Sequence, residues 1–131
     1  MPGEQAATTA SFTGQHVLAE FTGADPALLD DAASLRARLE DALRRAGATV
    51  CDMVSKEFSP HGVTVVALLA ESHASLHTYP ENGSAFFDVF TCGTRADPVL
   101  AAALLARSIG AASTTSRVVR RSLPPGPGAP G

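Results

Sequence analysis

Lysine is almost missing from this chain, with Lys56 standing alone against nine arginines. Tryptophan is absent, tyrosine occurs once and cysteine twice among 131 residues. Two cysteines, Cys51 and Cys92, cannot build the dense disulfide framework of a small secreted domain, so free thiols in a cytoplasmic setting are expected. No apolar run approaches the ~18 residues needed to span a bilayer, which argues against a membrane-embedded chain. Residues 1–13 offer no basic start followed by an apolar core, as a signal peptide would. The net charge of −3 supplies no basic field, which argues against nucleic acid as the main partner. A glycine-rich phosphate loop is also lacking.

What is present is an ordinary globular composition, 45% hydrophobic and 18% charged. It predicts one domain over residues 14–122, between a disordered N-terminus at 1–13 and a disordered Pro/Gly tail at 123–131. A domain of this size buries roughly two-thirds of its unfolded surface, so pairing with a second copy would help it.

Gln15–Phe21 alternates loosely and predicts a first strand. Asp25-Pro26 supplies a helix N-cap followed by proline at the first helical position. Leu28, Leu35, Leu39 and Leu43 then form one stripe of an amphipathic helix that stops at Gly47. Arg36, Glu40 and Arg44 occupy its other face, where charges four apart pair. Ala48–Phe58 predicts a second strand, Ser59-Pro60-His61-Gly62 a turn, and Val63–Ala70 a buried central strand. A fourth strand follows at His73–Thr78, a turn at Pro80–Gly83 and a fifth strand at Ala85–Cys92. Asp97-Pro98 starts a second helix with Leu100, Leu104 and Arg107 along one side and Gly110 as its stop. Ser113–Arg121 reads as a basic, solvent-facing last strand. The stretch from Glu20 to Pro26 echoes that from Val89 to Pro98, each running strand, Phe-Thr, Gly, Asp-Pro, helix. The layout is α+β: a mainly antiparallel sheet with two helices on one face and the other face left for a partner.

Chemistry concentrates in Ala70–Gly93, AESHASLHTYPENGSAFFDVFTCG. Alternation along an extended chain sets His73, Ser75 and His77 on one face and Ala74 and Leu76 on the other. Five pieces carry a family resemblance: Glu71-Ser72-His73, Leu76-His77-Thr78, Tyr79-Pro80-Glu81, Asp88-Val89-Phe90-Thr91-Cys92-Gly93, and upstream Phe58-Ser59-Pro60-His61-Gly62-Val63-Thr64. Together they resemble the small bacterial and archaeal S-adenosylmethionine decarboxylases, made as self-cleaving proenzymes.

The resemblance implies a definite chemistry. Ser72 would attack the Glu71 carbonyl, turning the amide into an ester; elimination and hydrolysis would leave a pyruvoyl group at position 72 and release ammonia. That shift is uphill at an ordinary peptide and needs strain and oxyanion donors. His77, five residues on and within reach after a local bend, would remove the Cα proton of residue 72; an imidazole, with an ordinary pKa of about 6.5, is a competent base. His73 would position the cleavage point. Thr64, where the family usually has serine, would hydrogen-bond the processing intermediate. Cys92 would be the acid that protonates the substrate's α-carbon after decarboxylation, a thiol of ordinary pKa about 8.5 being mostly protonated at neutrality. The pyruvoyl ketone would form a Schiff base with the substrate amine and act as electron sink, with no metal or diffusible cofactor. Phe58, Tyr79 and Glu81 match the positions that stack the adenine and hold the ribose hydroxyls. Tyr79 stands where tryptophan is frequent. The resemblance also implies a homodimer of cleaved protomers, its sheets meeting and its sites shared between them, supplying the aminopropyl donor for spermidine and other polyamines.

Other readings of the same residues remain open. A pyruvoyl decarboxylase of free ornithine or arginine would share these motifs, and an inactive paralogue would serve only as a partner subunit. His73, His77, His61 and Cys92 have zinc-like donors, though the histidine pair lies on a strand and lacks helical register. Ser72, His77 and Asp88 carry the groups of a hydrolase triad, without a nucleophile elbow.

Overall fold

The computed structural model describes residues 13–70 and 72–123. The predicted terminal segments, Thr13 and Leu123 apart, and Glu71 lie outside the described residues.

Six strands form one sheet in the order β2-β3-β4-β5-β1-β6, namely β1 (Thr13–Thr22), β2 (Val50–Glu57), β3 (Val63–Leu69), β4 (Ser72–Tyr79), β5 (Ser84–Cys92) and β6 (Ser113–Ser122). Every neighbouring pair is antiparallel. Three helices accompany them: α1 (Pro26–Leu29), α2 (Ala32–Arg45) and α3 (Pro98–Ser108). Among the described residues no helix is long and apolar enough to cross a membrane.

Three expectations need correction. The first helical stretch is two helices, because Asp31 caps a new one by accepting from Ser34 N at 3.1 Å, while Asp30 turns away to accept from Gly62 N at 2.8 Å. The Val63–Leu69 strand is second from an edge, and β4 and β5 hold the middle. Thr13 already belongs to β1.

The core lies between the helices and one face of the sheet. Leu35, Leu39 and Leu43 of α2 are buried as their spacing predicted, each worth about 1.5–3 kcal/mol of transfer free energy. On α3 the buried residues include Ala101, Ala102 and Leu105, whereas Leu100 is exposed. Small alanines let this helix sit close to the sheet, so its leucine spacing misidentified the inner side. Of the charged face of α2, Arg44 pairs with Glu40 at 2.8 Å, but Arg36 reaches Ser55 Oγ on β2 at 3.1 Å instead.

Among the described residues no helix covers the other face of the sheet. Antiparallel register groups its side chains in rows across the strands. One row runs Asp52, Leu68, His73, Phe90, His16, Val119; the next Val54, Val66, Ser75, Asp88, Leu18, Arg117; the third Lys56, Thr64, His77, Phe86, Glu20, Thr115. Val54, Leu68, Phe86 and Val119 on this face are all exposed.

Candidate active site

The candidate residues divide into two groups at opposite ends of β4. At its start, Ser72 and Cys92 line one cleft of about 220 Å³, walled by Gly47–Thr49, Ala70, Thr91 and Arg95–Ala96. Backbone bonds set these walls: Ala70 N donates to Thr49 O at 3.0 Å, and Asp97 N to Ala46 O at 2.8 Å. Gly47 is required there. Its φ is +94°, and a Cβ would lie 2.6 Å from Arg95 O. Among the described residues Ser72 Oγ makes only a 3.4 Å contact, with Ala70 O. Cys92 also borders a larger cavity of about 520 Å³ with Phe90, Val119 and Arg121, so its side chain stands between the Ser72 cleft and that cavity. Cys51 and Cys92 are both free, and both are exposed.

At the other end, Phe58, His61, His77, Tyr79 and Glu81 line a second cleft of about 240 Å³. Thr64 and His77 are opposed across β3 and β4, and Thr64 Oγ1 hydrogen-bonds His77 Nδ1. That bond fixes the ring and leaves Nε2 free. Phe58 and Tyr79 flank the imidazole, with centroids 6.1 and 4.8 Å away. Phe58 is held by its own turn, its N donating to Gly62 O at 2.8 Å. Buried Thr78 anchors the floor, accepting from Val63 N at 2.9 Å and donating to Leu29 O at 2.7 Å.

One expectation fails on this geometry. Ser72 and His77 sit on a single regular strand, paired without a register shift to β3 from Ser72 and to β5 from His73 onward. Five residues of strand cover about 17 Å, and alternation turns Ser72 to the opposite side from His77. No local bend brings them together, so within one chain His77 does not reach residue 72. The hydrolase triad fails for the same reason, and Asp88 is engaged instead by Ser75 and His16. The zinc-like set of His61, His73, His77 and Cys92 is likewise scattered between the two ends.

Two residues at these clefts were not singled out from the sequence for this role. His61 Nε2 lies 3.1 Å from Glu81 Oε1, orienting the carboxylate expected to hold ribose. Arg95 brings a cation to the Ser72 cleft. The turn signal around His61 and the Gly-Thr-Arg after Cys92 were the available clues, but loop residues carry no periodicity to point them at a site.

The family model described as S-adenosylmethionine decarboxylase matches residues 15–122. The chain belongs to that family. An S-adenosylmethionine decarboxylase proenzyme of Parasynechococcus marenigrum (strain WH8102) is 47% identical over 111 residues, covering 85% of this chain and 87% of that one. A proenzyme of the same name from Prochlorococcus marinus (strain MIT 9313) is 45% identical over 111 residues, 85% and 89% of the two chains. The crystal structure of the Aquifex aeolicus VF5 adenosylmethionine decarboxylase superposes with a TM-score of 0.76 at 34% identity, covering 82% of this chain and 89% of that one. Family membership makes the chain a decarboxylase of S-adenosylmethionine, and nothing in these matches favours free ornithine or arginine.

Proposed function

We propose that the chain cleaves itself between Glu71 and Ser72, carries a pyruvoyl group at position 72, and decarboxylates S-adenosylmethionine in sites shared by two protomers. The observation that carries this reading is the division of the family's residues into two clefts at opposite ends of one strand. A two-fold axis between stacked sheets, crossing the strands, reverses strand direction. It lays the Ser72 end of one β4 over the His77 end of the other, and joins two half-sites into two whole ones. Exposed Val54, Leu68 and Phe86 supply the apolar surface such stacking would remove from water.

The residues fit the prosthetic group. Serine is the side chain from which a pyruvoyl can form, and Ser72 has a cleft around it and a weakly engaged hydroxyl. In processing, Ser72 Oγ bonds to the Glu71 carbonyl carbon as the C–N bond to residue 72 breaks. His77 Nε2 of the partner subunit then takes the Cα proton, the Cβ–O bond breaks, and residues 1–71 leave as a carboxylate. Water replaces the nitrogen at residue 72, which departs as ammonia. Thr64 holds the imidazole at Nδ1 throughout. Once formed, the group supplies an electron sink for the carboxylate's departure. Cys92 delivers a proton to the product's α-carbon, Phe58 and Tyr79 stack the adenine, and Glu81, steadied by His61, accepts from the ribose hydroxyls. The product is the aminopropyl donor of polyamine synthesis, and free thiols at Cys51 and Cys92 suit a reducing cytoplasm.

Intact-mass measurement of the purified protein tests this reading directly. Two chains are expected, 1–71 and 72–131, the second lacking a free amino terminus. A single mass that persists for days near neutral pH would remove the pyruvoyl claim and leave the inactive paralogue.

Phe58→Ala should leave self-cleavage intact while raising the KM for S-adenosylmethionine. Base–aromatic stacking is worth about 1–3 kcal/mol, so the expected increase is roughly 5- to 150-fold. A preference for ornithine or arginine that is indifferent to this substitution would reassign the substrate.

A further inference from the structure

We propose that His16, His73 and Asp88 on the open face form a binding site for a late first-row divalent cation of the zinc type. One ligand atom from each lies within 4.8 Å of the others. His16 Nε2 stands 2.6 Å and His73 Nε2 3.9 Å from the same oxygen, Asp88 Oδ2. Tetrahedral zinc with ligands at about 2.0–2.1 Å needs those atoms roughly 3.3 Å apart. The two distances to Asp88 Oδ2 straddle that value, and the two imidazole donors lie within 4.8 Å of each other, so side-chain adjustments on the order of 1 Å bring the three together. The donors are two imidazoles and one carboxylate, a set that favours zinc, cobalt or nickel over magnesium and calcium.

The surroundings orient these donors as a metal site requires. Ser75 hydrogen-bonds Asp88 Oδ1, which turns Oδ2 alone toward both histidines and leaves it as a monodentate ligand. Phe90 packs against both rings, with centroids 5.7 Å from His16 and 6.0 Å from His73, forming an apolar wall. The residues come from three adjacent strands, β1, β4 and β5, whose ladders fix the backbone. Neither Ser72, His77 nor Cys92 takes part, so the site is distinct from both clefts and does not depend on the decarboxylase reading. It lies on the face that the proposed stacking would cover, so the fourth position is left for a water held between the sheets. His73 directly follows the cleavage point, so a cation there would hold that residue's ring.

The test uses the full-length protein, stripped with a chelator and titrated with Zn²⁺ and with Co²⁺ near neutral pH. Stoichiometric uptake of one ion per chain is expected, with visible cobalt bands typical of four nitrogen and oxygen ligands. His16→Ala should abolish both, and Ser75→Ala should weaken binding about tenfold. Should His16→Ala fail to fold, Asp88→Asn, nearly the same in shape, should abolish binding while circular dichroism shows the fold retained. Absence of stoichiometric uptake would overturn the proposal. So would uptake unchanged in the folded variants, or a thiolate charge-transfer band that disappears with Cys51→Ser or Cys92→Ser.

Discussion

Co-expressed Ser72→Ala and His77→Ala chains are expected to recover the cleavage that neither variant shows alone. Ser72→Ala has no hydroxyl to attack Glu71, and should remain one chain with no detectable turnover. His77→Ala retains the hydroxyl but lacks the base, so it should stall as an ester that hydroxylamine cuts. In a mixed dimer one site combines an intact Ser72 from the His77→Ala chain with an intact His77 from the Ser72→Ala chain. The other site has neither. The His77→Ala chains in mixed dimers should therefore be cut, and mass spectrometry distinguishes which variant was. The basis is distance, since about 17 Å of regular strand separates the two residues within one chain. A cis mechanism predicts no rescue at all, so an uncut mixture of folded dimers would place the base elsewhere.

Cys92→Ala should separate processing from catalysis. The thiol shares the Ser72 cleft, yet the processing steps assigned to Ser72 and His77 pass no proton through it. Cleavage should thus continue at least in part. Turnover should fall about 10²- to 10⁴-fold, the usual contribution of a positioned general acid. With no thiol to choose the carbon, protonation at the prosthetic group itself becomes competitive and consumes it by transamination. The variant should accordingly inactivate faster per turnover than the parent enzyme, seen as an earlier plateau in released carbon dioxide. A full rate with a normal lifetime would assign the acid to another residue.

The sequence by itself settled most of what is local. Alternation placed His73, Ser75 and His77 on one face because a strand's side-chain period is two. Asp-Pro pairs marked helix starts because capping chemistry is local, and Asp25 and Asp97 do cap α1 and α3. The family motifs were legible because each is a contiguous run. Tertiary structure decided what crosses strands. The break at Asp30 and Asp31 depends on a partner, Gly62, more than thirty residues away. The inner side of α3 depends on how closely a helix of alanines can approach the sheet. The pairing of His16 with Asp88 spans 72 residues and follows only from β1 inserting between β5 and β6. The separation of Ser72 from His77 was hidden for the opposite reason. Five positions are close in sequence, but in a strand that hydrogen-bonds on both edges the chain cannot fold back. Proximity along the chain then becomes distance in space, which is why the proposed reaction calls on a second copy.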